Sequence, residues 1–74
     1  MLFTIEVARG ADYKIERARI FEPKNWLYLN GKNSTICINL ADNTLVKGQC
    51  HAMPQLSGAQ ISAAVARYNE WSAK

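Results

Sequence analysis

Leu56-Ser57-Gly58-Ala59-Gln60-Ile61 opens the stretch whose reading decides the fold. Ser57 is a helix N-cap: its hydroxyl can accept from the first backbone N–H groups, and Gln60, three residues on, can reach back to the Ser57 N–H. Leu56 before the cap and Ile61 after it can close as a hydrophobic staple. Ile61, Ala64, Val65, Tyr68 and Trp71 then recur on one helical face, which predicts a helix over 57–72. Residues 1–55 hold no helical pattern of comparable clarity, so the chain reads as one terminal helix laid on a sheet.

Working back from the helix, His51-Ala52-Met53-Pro54-Gln55 reads as a connector, over 51–56 with Leu56, which Pro54 stiffens. Residues 1–50 are β-rich. Leu2 to Ala8 alternates, with Phe3, Ile5 and Val7 on one side. Arg9-Gly10-Ala11-Asp12 suits a turn. Asn25 to Asn30 is rich in strand formers. Asn30-Gly31 marks a hairpin turn that Lys32, Asn33 and Ser34 can lengthen. Thr35 to Leu40 alternates again, and Thr44 to Gln49 predicts a last strand. With Asp42-Asn43 as a two-residue turn, Ala41 faces Thr44, Leu40 faces Leu45 and Cys37 faces Gly48.

Tyr13 to Phe21 fits neither template. As a helix capped by Asp12 it aligns Ile15 and Ala18 but leaves Arg19 and Glu22 on the same side. As a strand it puts Tyr13, Ile15 and Phe21 on one face with Arg17 and Arg19 between them. Pro23 ends any helix by Phe21. The reading adopted is a strand that pairs back on the first, with the helix left open as the alternative. The predicted fold class is α+β: a small antiparallel meander of about four or five strands with one C-terminal helix packed on one face. The expected core is Phe3, Ile5, Val7, Ile36, Ile38, Leu40, Ile61, Val65, Tyr68 and Trp71.

The 74 residues are read as a single domain spanning 1–74, with 49% hydrophobic and 20% charged residues, a composition that excludes a disordered chain. A chain this short leaves no room for an active site built between two domains. The N-terminal Met1-Leu2-Phe3-Thr4-Ile5-Glu6 lacks a basic leader, and no apolar run approaches a membrane span, so the expectation is a soluble cytoplasmic protein with no membrane partner.

Cys37, Cys50 and His51 are the only soft metal ligands, and no pair of cysteines has zinc-site spacing; no metal, and no other cofactor, is expected. The register above puts Cys50 diagonal to Cys37, beyond easy disulfide reach. Cys50-His51 could serve as nucleophile and base only in a turn, because consecutive residues of an extended chain point apart. The expectation is therefore a protein that is not an enzyme and has no catalytic residues.

Net charge is +3, with the basic residues scattered and interleaved with acids in the first half, unlike a dense nucleic-acid stripe. Trp26 and Tyr28 share a strand face opposite Leu27 and Leu29. If the leucines face the helix, the aromatics lie on the open side near Arg17, Arg19 and Lys24; the inverse arrangement, aromatics in and leucines out, is equally open. Arg17, Arg19, Lys24, Trp26 and Tyr28 are the expected partner-binding residues. Tryptophan, tyrosine and arginine are the residues that dominate protein hot spots, and they also stack on bases. The leading expectation is a small binding protein that docks on a larger protein or nucleoprotein complex and blocks or modulates it, as phage and mobile-element inhibitors of bacterial defence complexes do. The alternative is direct RNA or DNA binding by the open face. Ala59, Ala63 and Ala66 form a small-residue helix face that would admit a second copy in a homodimer, although helix propensity alone accounts for them.

Overall fold

A computed structural model of the chain describes residues 1–8, 11–51 and 56–74. Its elements run β1 (Phe3–Ala8), β2 (Ala11–Ile15), β3 (Arg17–Phe21), β4 (Trp26–Asn30), β5 (Thr35–Asn39), β6 (Thr44–Leu45) and α1 (Gly58–Ser72). The fold is α+β, as expected. The strands differ from one meander in being divided between a β1-β2 hairpin and an antiparallel sheet of order β3-β4-β5-β6. The turn expected at Arg9-Gly10 and the connector over residues 52–55 lie outside the described residues.

The division falls at Glu16. β2 pairs with β1, Phe3 opposite Ile15 and Ile5 opposite Tyr13. β3 turns instead to β4, with Arg17 opposite Asn30. The Glu16 N–H also donates to the Asn30 carbonyl at 2.7 Å. Glu16 and Arg17 thus both meet Asn30, a bulge-like junction at which the strand bends and its alternation shifts by one. Ile15 is fully buried, and inward-facing positions resume at Ala18 and Ile20, opposite Leu29 and Leu27. Tyr13 to Phe21 is therefore extended, but as two strands of opposite phase; only the first half pairs with β1. Phe21 belongs with Arg17 and Arg19, not with Tyr13 and Ile15.

β4 and β5 are in register from Trp26 opposite Asn39 to Asn30 opposite Thr35. The loop between them closes through Gly31 N–H to the Ser34 carbonyl at 2.9 Å. Gly31 lies against the Tyr13 ring, where a Cβ would overlap it, and the Ser34 hydroxyl donates to the Tyr13 phenol oxygen. The next turn is longer than expected. Ile38 faces Leu45 and Asn39 faces Thr44, so Leu40 to Asn43 make a four-residue connection in place of Asp42-Asn43. Asn43 takes φ +55°, and its N–H donates to the Asn39 carbonyl at 2.7 Å. Asn39 and Asp42 hold the turn with their side chains, accepting from the Ala41 and Thr44 N–H groups. β6 ends at Leu45, short of Gln49. Val46, not Gly48, bonds to Cys37, and His51 bridges Thr35 through both of its backbone groups.

The capping box forms as read, with Ser57 N–H to Gln60 Oε1 at 2.9 Å and Gln60 N–H to Ser57 Oγ at 3.2 Å. Leu56 and Ile61 are both buried. The helix lies along β1: Trp71 packs on Phe3 with ring centroids 5.8 Å apart, and the Arg67 guanidinium donates to the Thr4 carbonyl. Phe3, Ile5, Ile15, Leu27, Leu29, Ile36, Ile38, Leu56, Ile61 and Ala64 form the core. Of the expected core, Val7, Leu40, Val65, Tyr68 and Trp71 are only partly buried and pack around its rim. Ile15, Leu27 and Leu29 take the central places.

Candidate functional site

With Leu27 and Leu29 fully buried, the alternation of β4 turns Trp26 and Tyr28 to the opposite face of the sheet. Cross-strand pairing arranges that face in rows. Arg17, Asn30 and Thr35 form the first; Arg19, Tyr28 and Cys37 the second; Phe21, Trp26 and Asn39 the third. Asn30 Nδ2 donates to Thr35 Oγ1 at 3.0 Å, which ties the first row together.

In the second row the Arg19 guanidinium carbon stands 5.0 Å from the Tyr28 ring centroid, a cation–π distance. The Tyr28 hydroxyl donates to Gln49 Oε1 at 3.1 Å, so the segment after β6 fastens the far side of the row. In the third row Phe21 and Trp26 pack tilted, with centroids 6.3 Å apart. Trp26 and Tyr28 are half-buried; Arg17, Arg19 and Phe21 are exposed.

Lys24 is exposed in the Glu22–Asn25 turn, which Asn25 makes possible by taking φ +56°. Four of the five residues singled out in the sequence thus share one face, and Lys24 sits on the turn that closes the third row. Phe21, Asn30 and Gln49 complete the surface and were not anticipated. The phase shift at Glu16 hides Phe21 from a sequence reading, and the strand expected over Thr44 to Gln49 hides Gln49.

Burial raises the Cys37 thiol above its ordinary value, with the nearby Cys50 acting in the same direction and the Tyr28 hydrogen bond opposing. Loss of water around the phenol raises Tyr28 as well, reinforced by Cys37 and opposed by Arg19. Both groups are therefore neutral near physiological pH, where a thiol does nucleophilic work only as its thiolate. Cys50 is a free thiol whose sulfur accepts from the Cys37 N–H at 3.2 Å. It seals the edge of β5, while His51 beside it is exposed.

Among the described residues no three His, Cys, Asp or Glu side chains cluster as a metal site would require. No helix among them is long and apolar enough to cross a membrane. Ala59, Ala63 and Ala66 are exposed on α1. Comparison with known proteins finds no match for this chain among family models, curated proteins or solved structures.

Proposed function

We propose that this chain is a small non-enzymatic binding protein that docks on a larger protein or nucleoprotein complex through the face built by β3 and β4, and blocks or modulates it. One observation carries the reading: two aromatic contacts, Arg19 on Tyr28 and Phe21 on Trp26, stand side by side on a sheet face directed away from the core. Arginine, tryptophan and tyrosine anchor protein interfaces because they bring large contact area with few rotatable bonds and a polar group for orientation. Here Arg19 already lies over Tyr28 and Phe21 against Trp26, which lowers the side-chain entropy lost on docking.

The same group offers stacking surfaces to bases, which is the second reading. Two features favour a protein. The Tyr28 ring already carries Arg19, and the rows hold only two arginines in place of a continuous basic track. Small modulators carried by phages and other mobile elements, including inhibitors of bacterial defence complexes, are the class to which this reading assigns the chain.

The test is capture of partners by tagged protein from a host lysate, with and without nuclease, comparing the native chain with Trp26→Ala and Arg19→Glu. A discrete protein or complex that survives nuclease and is lost with both variants is the expected result. Recovery of nucleic acid, with proteins released by nuclease, would replace this reading with direct nucleic-acid binding.

A further inference from the structure

The sheet order leaves β3 at an edge, and among the described residues no strand pairs with its outer side. All of its residues but Ala18 are exposed. Of the three large apolar side chains that stand exposed among the described residues, two are neighbours at the end of this strand: Ile20 at 38% and Phe21 at 42%. They belong to opposite faces, since Ile20 stands opposite Leu27 and Phe21 opposite Trp26. A partner resting on the aromatic face would cover Phe21 and leave Ile20 in water. A strand laid along the edge covers both, because its own side chains alternate between the two faces.

Charge selects the occupant. In an antiparallel pairing with a second copy of β3, the register that uses all five residues sets Arg19 against Arg19 and the one centred on Ala18 sets Arg17 against Arg19; only the register centred on Ile20 avoids like charges, and it pairs just Arg19–Phe21. Like charges directly opposite one another destabilise a pair of strands. The same arginines favour a strand that brings carboxylates.

We propose that β3 is the docking edge, and that the partner protein contributes an extended acidic segment that pairs with Arg17–Phe21 as a further strand. Its carboxylates lie beside Arg17 and Arg19, and its apolar side chains cover Ile20 and Phe21. This rests on the protein-docking reading above and specifies the chemistry of the partner. The two arginines also place like charges along the edge, a usual protection of sheet edges against self-pairing.

The probe is a short peptide, Val-Val-Glu-Val-Glu, whose antiparallel pairing sets valines opposite Phe21 and Ile20 and glutamates opposite Arg19 and Arg17, titrated into the isotope-labelled chain and followed by backbone amide resonances. Controls are the same peptide N-methylated on one or the other alternate set of residues, a version with lysine for glutamate, and a single-stranded oligonucleotide. The expected result is saturable binding, with shifts and slowed amide exchange concentrated in Arg17–Phe21. One of the two N-methylated peptides, the lysine peptide, and the Arg19→Glu and Arg17→Glu variants should each lose affinity by about tenfold or more. Both arginines are exposed, so these variants keep the fold, which their unperturbed core resonances verify.

Absence of saturable binding, or equal binding by both N-methylated peptides, would overturn strand addition. So would shifts produced by the oligonucleotide and not by the acidic peptide. If strand addition fails while a nuclease-resistant partner is still captured and lost with Trp26→Ala, the docking reading stands and the edge assignment alone is wrong.

Discussion

Leu29 and Tyr28 are neighbours on one strand with opposite fates, and the contrast between their alanine variants tests the site at its foundation. Leu29 is fully buried between Ala18 on β3 and Ile36 on β5. Truncating a buried leucine removes its transfer energy and leaves a cavity, so Leu29→Ala should destabilise by about 2–5 kcal/mol. A chain of 74 residues, at roughly 0.05–0.15 kcal/mol per residue, has about 4–11 kcal/mol in total, so this one change consumes a large share of it. Tyr28→Ala removes the hydrogen bond to Gln49, about 0.5–1.5 kcal/mol, and an exposed cation–π contact, about 0.5–1 kcal/mol. The sum is about 1–2.5 kcal/mol. Urea titration followed by tryptophan fluorescence should therefore move the midpoint further for Leu29→Ala than for Tyr28→Ala, with slopes unchanged. A Tyr28→Ala cost equal to or above that of Leu29→Ala would refute the argument, because the face offered to a partner would then be core.

Gly31→Ala should cost about 1–3 kcal/mol by driving a methyl group into the Tyr13 ring, and the cost should vanish in a Tyr13→Ala background, as a double-mutant cycle by urea titration measures. Ser57→Ala removes the acceptor for the Gln60 N–H and should cost about 1 kcal/mol, read as a lower thermal midpoint; no shift would mean that the cap carries no weight. Deleting Glu16 reduces the two-against-one pairing to regular alternation and keeps both Ile15 and Ala18 on the core side, so a folded amide spectrum is expected. One alanine inserted between Ala18 and Arg19 turns Arg19 inward and should unfold the chain, and the two spectra together check the phase argument. Cys37 keeps its proton in the folded chain beyond the pH at which the unfolded chain releases it. Stability should accordingly be constant below the ordinary thiol value of about 8.5 and fall as pH rises through the raised folded value. Cys37→Ala should shallow that decline without abolishing it, because Tyr28 is raised in the same sense; an unchanged slope of the urea midpoint against pH would contradict the burial of the thiol.

The features legible in the sequence are those whose signal is local. The cap at Ser57 needs only Gln60 three residues on, and the alternations of Phe3-Ile5 and Ile36-Ile38 need only one buried face. The loop after Asn30 was legible because Gly31 and its polar followers form a contiguous signal. What escaped depends on pairing. A bulge is a relation between two strands, and nothing in Ile15-Glu16-Arg17 distinguishes two residues against one from one against one. Read with a single period, Tyr13 to Phe21 therefore fits neither template cleanly, although the strand reading holds for both halves and its pairing with β1 for the first. The turn after β5 escaped for a related reason. Asp42-Asn43 matches a two-residue hairpin, but side-chain hydrogen bonds from Asn39 and Asp42 stabilise a longer connection that moves the register of β6 by two.

The same bulge that obscured the fold produces the candidate site. The chain from Ala11 to Phe21 carries two apolar sets of opposite phase, Tyr13 with Ile15 and Ala18 with Ile20. A regular strand could bury only one of them, and would turn Arg17 and Arg19 inward while it kept Ile15 in the core. The additional residue at Glu16 reconciles the two sets: both lie on the core side of their strands, with Ile20 at the exposed edge, and the arginines and Phe21 are gathered on the opposite face beside Tyr28 and Trp26. Phase and surface chemistry are consequently separable. A change of phase alters the core and the site together, whereas a change of charge at Arg19 alters the site alone. If Arg19→Glu abolished partner capture while lowering stability by no more than about 0.5–1 kcal/mol, the worth of the contact with Tyr28, the arginine would act in recognition, and its role in guarding an edge strand could not by itself account for it.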